Sequence, residues 1–157
     1  MNKNIKELIV KAKSNDSDKI SDALTDLGLL IERHTQNRYS EEDYLILLGN
    51  NIELFELRLE EEEVDIIVNF FFFHILNINI NPITVAWCLG KCYNVDILEG
   101  MKRLLVLFSY NDELTLQLLF SINGLFGFEK IKEELIILNN TEGLTNTKKY
   151  LNEIGLE

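Results

Sequence analysis

Apolar residues recur at intervals of three and four along most of this chain, and a single proline in 157 residues interrupts them. That pattern favours helix throughout, because a period near 3.6 buries one face of a helix whereas proline removes a backbone donor. Ile5, Leu8, Ile9 and Ala12 mark a first helix over about 4–13. Ile20, Leu24, Leu27 and Ile31 mark a second, opened by cap candidates between Ser14 and Asp18 and running to about His34. Ser40-Glu-Glu-Asp43 has the form of a capping box ahead of Tyr44 to Leu48. IELFELRL, residues 52–59, alternates cleanly on neither strand face and reads as helix.

Val64, Ile67, Phe71 and Ile75 repeat at three and four, while Ile66, Phe70 and Phe73 cover another side. A helix apolar on most sides is a central one, so Val64 to Ile80 is expected to be buried. Asp65, Asn69, His74, Asn77 and Asn79 interrupt it, and it falls short of the roughly 20 apolar residues a bilayer requires. Asn81-Pro82 places a cap before a proline at the first helical position, where a missing N–H costs nothing. Helices over 82–92, 96–108, 112–123 (capped by Asp112), 128–138 and 145–154 follow, with NGLFGF, residues 123–128, as a turn between two of them.

No Gly-, Ser- or Pro-rich linker divides the chain, so residues 1–157 read as a single all-helical, all-α domain. Leu27-Gly28, Leu48-Gly49, Leu89-Gly90 and Asn123-Gly124 recur near helix ends, and two hairpins fit in 82–108 and 113–138. Stacked helical hairpins in a short HEAT-like solenoid are one architecture; an irregular helical bundle is the other.

Charge is the least evenly distributed property. Between Glu41 and Asp65 there are ten carboxylates and one cation, Arg58, a net charge of −9 within a total of −11. If 52–64 is one helix, Glu53, Glu56, Glu60 and Glu63 fall on one stripe. Like charges one turn apart repel, so the stripe calls for a reason. One is local: Glu60 to Glu63 open the Phe-rich helix, where negative charge suits the helix dipole. The other is a surface for a cationic partner, built from Glu41, Glu42, Asp43, Tyr44, Glu53, Glu56, Glu60, Glu61, Glu63 and Asp65. Tyr39, Tyr44, Phe55 and Trp87 are candidate anchors, since charge steers association while buried aromatics hold it.

The acidic balance disfavours direct nucleic-acid binding. The amphipathic N-terminus, MNKNIKELIVKAK, lacks the form of a secretion signal, so a cytoplasmic location is expected. Cys88 and Cys92 lie one helical turn apart, but neither His34 nor His74 completes a zinc spacing, and both cysteines read as small core residues. His34 reads as a solvated helix end and His74 as a hydrogen-bonded core or interface residue. GxGxxG, GxxxxGKS, HExxH and GxSxG are missing, and four adjacent glutamates are too solvated for acid catalysis. The chain reads as a non-enzyme with no cofactor and no metal.

The opening hairpin KISDALTDLGLLIERH, the Leu-Gly helix ends and the tract EEDYLILLGNNIELFELRLEEEEVD carry a resemblance. The chain is similar to the helical, HEAT-like immunity proteins of bacterial contact-dependent growth inhibition and related polymorphic toxin systems. That resemblance implies an immunity protein that binds a cognate toxin, often of nuclease type with a basic groove, and blocks its active site. Two other classes remain open. An acidic nucleic-acid mimic would spread its charges along the whole chain, and a helical-repeat adaptor would need an exposed apolar groove for a partner helix.

Overall fold

The structure, a computed structural model, describes residues 1–76 and 81–156. Among these residues are ten α-helices and no strand. They group into two compact units, Met1–Tyr93 and Asn94–Glu157.

The first unit holds α1 (Lys3–Ala12), α2 (Ser17–Thr35), α3 (Glu41–Leu47), α4 (Ile52–Glu56), α5 (Glu61–Ile75) and α6 (Pro82–Leu89). Side-chain caps start the first two. Asn2 accepts from the Asn4 N–H at 2.8 Å, and Asp16 accepts from those of Asp18 and Lys19. Helices α1 and α2 pack against each other and bury Ile5, Leu8 and Ala12 together with Leu24, Leu27 and Ile31.

The other face of α2 takes α6, and Gly28 sets how closely. A Cβ at position 28 would lie 3.0 Å from the Trp87 ring and 3.2 Å from Cys88 Sγ. The Cys88 thiol donates to the Leu24 carbonyl at 3.1 Å, and both cysteines are buried, as small core residues are. Thr35 and Gln36, at the end of α2, donate to the Lys91 carbonyl and fix the exit from α6.

Helix α5 lies against α6 and α2 and buries Ile67, Phe71 and Ile75 completely. Phe73 differs from the expectation that the whole Phe run is core: it is 72% exposed, because a position two residues past Phe71 points to the opposite side of the helix. His74 is buried, its Nδ1 3.1 Å from the Phe70 carbonyl. The expected continuation of this helix to Ile80 falls on residues 77–80, which lie outside the described residues. Asn81 adopts a left-handed conformation and makes no side-chain cap, so α6 begins on its proline rather than on an asparagine cap.

The second unit opens with a 3-10 turn, Val95–Ile97, followed by α7 (Leu98–Leu107), α8 (Asp112–Phe126), a second 3-10 turn (Phe128–Ile131), α9 (Lys132–Asn139) and α10 (Thr145–Glu153). Helix α7 packs on α8 and α9, and α8 on α10. The hairpin read over 82–108 is therefore divided between the two units. Asn111, not Asp112, caps α8, accepting from the Leu114 N–H at 3.1 Å. Asp112 instead accepts from the Asn146 and Thr147 N–H groups at 2.8 and 2.9 Å, so it caps α10 from the start of α8. Burial alone would raise its pKa, but these donors outweigh that and hold the carboxyl below its ordinary range.

The expected turn at NGLFGF is mostly helix: α8 continues through Gly124 to Phe126 and stops at Gly127, whose φ of 78° suits glycine. Lys102 joins α7 to α9 through Glu134 at 3.4 Å. Among the described residues, no helix is long and apolar enough to cross a membrane.

Candidate protein interface

The acidic tract folds into the openings of three successive helices. Glu41, Glu42 and Asp43 form the first turn of α3, Glu53 lies in that of α4, and Glu61, Glu62 and Glu63 form that of α5. At each of these openings the carboxylates sit at the positive end of the helix dipole. Ser40 caps α3, accepting from the Asp43 N–H at 3.1 Å while its hydroxyl donates back to the Asp43 carboxylate at 2.8 Å. Asn51 caps α4 through the Leu54 N–H at 3.2 Å. Local helix electrostatics therefore account for more of the tract than its first reading allowed.

The single acidic stripe over 52–64 does not form. Helix α4 ends at Glu56, the backbone is extended at Leu57 and Glu60, and α5 begins at Glu61. The break follows a period of two: Leu57 and Leu59 are buried while Arg58 and Glu60 are exposed, as in a strand-like segment. It is fastened by Arg33, a residue only 8% exposed, whose guanidinium donates to the carbonyls of Phe55 at 2.9 Å and Leu57 at 2.5 Å. Arg58 donates to the same two carbonyls from the solvent side, at 2.8 and 3.2 Å.

Two of the ten proposed contact residues are structural. Glu63 is buried; it accepts from the Glu60 N–H at 3.1 Å and from that of Asn2 at 2.5 Å. Burial pulls its pKa up, but those two N–H donors pull harder and leave the carboxyl below its ordinary range. Tyr44 is fully buried, and its hydroxyl donates to the buried carboxylate of Glu32 at 2.5 Å. Burial, then that bond, push the phenol up to about 12. It is a core residue rather than an anchor.

Glu41, Glu42, Asp43, Glu53, Glu56, Glu60, Glu61 and Asp65 are all exposed. Glu41 pairs with Arg58 at 3.6 Å, and Glu61 with His34 at 3.0 Å, which ties the end of α2 to the start of α5. Of the aromatic candidates, Phe55 is half-buried with Arg33 over its ring, and Trp87 is half-buried beneath the Lys91 ammonium at 4.6 Å. Tyr39 alone is well exposed, its ring edge-on to Tyr44.

No family model, curated protein or solved structure matches the chain.

The sequence reading missed the aliphatic part of this surface. Ile46, Leu47 and Ile52 are exposed, at 59%, 45% and 54%. Ile46 and Leu47 follow Glu42 and Asp43 by one helical turn, so each acid shares a face of α3 with an aliphatic side chain. Ile52 and Glu56 share a face of α4 in the same way, and α3 and α4 are in contact. The signal was present in EEDYLILL, where Tyr44 and Leu48 claim the core and leave Ile46 and Leu47 outside.

Proposed function

We propose that this chain is an immunity protein, which binds a toxin domain bearing a basic surface and blocks its active site. The observation that carries this is the mixed surface of α3 and α4, where exposed Ile46, Leu47 and Ile52 lie on the same two helices as exposed Glu42, Asp43, Glu53 and Glu56. Helix capping accounts for carboxylates at helix starts, but it does not account for three exposed aliphatic residues among them. Water-excluding apolar contacts hold a protein complex, and a surrounding ring of one charge selects a partner of the other and speeds its arrival. A nuclease groove shaped for phosphate offers such a positive surface. The division of labour supports a protein partner over a nucleic-acid mimic, which has no use for aliphatic groups at its centre.

The test is co-purification with the product of the adjacent reading frame, followed by binding kinetics. Changing Glu42, Asp43, Glu53 and Glu56 together to their amides should slow association at low salt by about tenfold or more and flatten its salt dependence. Ile46→Ser with Leu47→Ser should instead speed dissociation. If both variants bind and protect cells as the parent does, the interface lies elsewhere.

A further inference from the structure

Beside the α4–α5 break lies a cleft of about 340 Å³ lined by Leu30, Arg33, His34, Asn37, Glu41, Leu57, Arg58 and Leu59. Its chemistry is opposite to that of the surrounding surface. Arg33 is a buried cation whose hydrogen bonds go to two neutral carbonyls, and among the described residues no carboxylate forms a salt bridge with it. Two of its five N–H donors are used in this way. A second guanidinium, that of Arg58, binds the same two carbonyls, so two positive charges converge where one would satisfy the backbone.

Burial, and then repulsion from Arg58, lower the pKa of Arg33, and attraction to Glu41 opposes them only in part. Glu41 itself contacts Arg58 at 3.6 Å from a largely exposed position, and such pairs contribute little. Leu30, Leu57 and Leu59 contribute apolar side chains to the same lining. Asn37 adds an amide that can donate to an oxygen anion.

We infer that this cleft binds a monocarboxylate with a short apolar body, its carboxylate between Arg33 and Arg58 and its body against the three leucines. A planar carboxylate accepts two parallel N–H bonds from a guanidinium, the geometry that two converging arginines favour. A dianion is disfavoured by Glu41 in the lining, by Glu61 beside His34 and by the −11 charge of the chain. The volume suits a small organic acid. The same carboxylate could arrive free or as an acidic side chain of a protein; the inference does not depend on the α3–α4 interface.

Titration of the full chain with benzoate, inorganic phosphate and benzylamine, followed by amide chemical shifts, tests this. Benzoate should saturate with a dissociation constant on the order of 1 mM, shifting Arg33, Asn37 and Leu59, while benzylamine and phosphate should not. Arg58→Gln, at an exposed position, should fold normally and bind benzoate about tenfold more weakly. A short peptide rich in aspartate, titrated in parallel, distinguishes a protein carboxylate from a free acid by which of the two binds more tightly. The inference is overturned if benzoate fails to saturate, if phosphate binds more tightly than benzoate, or if Arg58→Gln binds benzoate as the parent does.

Discussion

Arg33 and Leu57 lie 24 positions apart and meet at 2.5 Å, guanidinium to carbonyl, in the interior of the first unit. This bond, with its companion to Phe55, holds the chain where α4 ends at Glu56 and keeps Leu57 and Leu59 inside. Arg58 shares both carbonyls, so each arginine partly covers for the other. Arg58→Gln should cost less than about 1 kcal/mol in urea unfolding, and Arg33→Gln about 1–3 kcal/mol. The double variant should lose more than the sum, because only then do both carbonyls lose every donor and because relief of the charge repulsion is gained once. Additive losses would mean that the two arginines act independently.

The Tyr44–Glu32 bond places a carboxylate in a fully buried position with the phenol as its closest donor, at 2.5 Å. Tyr44→Phe preserves the ring and removes that donor. The expected loss is about 1–3 kcal/mol by chemical denaturation, since an acceptor left short of a partner in the core costs more than a neutral bond contributes. Tyr44→Phe with Glu32→Gln should recover part of it, as the amide is less expensive to bury than the carboxylate. An unchanged midpoint for Tyr44→Phe would show that water reaches Glu32.

The periodicity of three and four made the all-α class legible, and most helix boundaries fell within a few residues of their expected places. What escaped was set by contacts distant in sequence. Glu32 and Arg33 follow an all-round apolar run, Leu27 to Ile31, and so sit where the helix is buried on every side; only the fold shows that they meet Tyr44 and the 55–57 carbonyls. Likewise Asp112 has the local form of a helix cap, and which helix it caps depends on α10 arriving beside it. The break at 57–60 was visible locally in the Leu-Arg-Leu-Glu alternation, but four residues of period two were outweighed by the helical pattern on either side. Burial of Glu63 could not be read from a run of four glutamates, because which one turns inward depends on the Glu60 and Asn2 N–H groups.

Gly28 and Gly124 both lie inside helices, yet alanine should act on them with opposite signs. In α8 a Cβ at position 124 meets nothing within 4 Å, so Gly124→Ala should gain about 0.5–1 kcal/mol from reduced chain entropy. At position 28 the same gain is opposed by contact with Trp87 and Cys88, and overpacking a core typically costs about 1–3 kcal/mol. Gly28→Ala should therefore lower stability on balance, by about 1 kcal/mol. A rise in melting temperature for Gly28→Ala would mean that α6 moves away from α2 without loss.

Asp26 provides a titration that runs against the usual direction for a carboxylate. Burial first, then repulsion from Asp22 one turn away, raise it from its ordinary value near 3.8 to about 6, and Lys11 opposes them only in part. Glu7 and Glu53, which line a second cleft together with Asp26 and Lys11, supply no counter-charge. The folded state thus holds this proton more tightly than the unfolded chain does, and its contribution to stability is fully present below about pH 4 and lost as the pH rises through about 6. Asp26→Asn keeps the shape and removes the charge. Its melting temperature should match that of the parent at pH 4 and exceed it at pH 7, by an amount equivalent to about 1 kcal/mol, since the carboxyl is partly solvated and the full linkage value is screened. Equal stability of the two proteins at both pH values would show that Asp26 titrates as an ordinary surface acid.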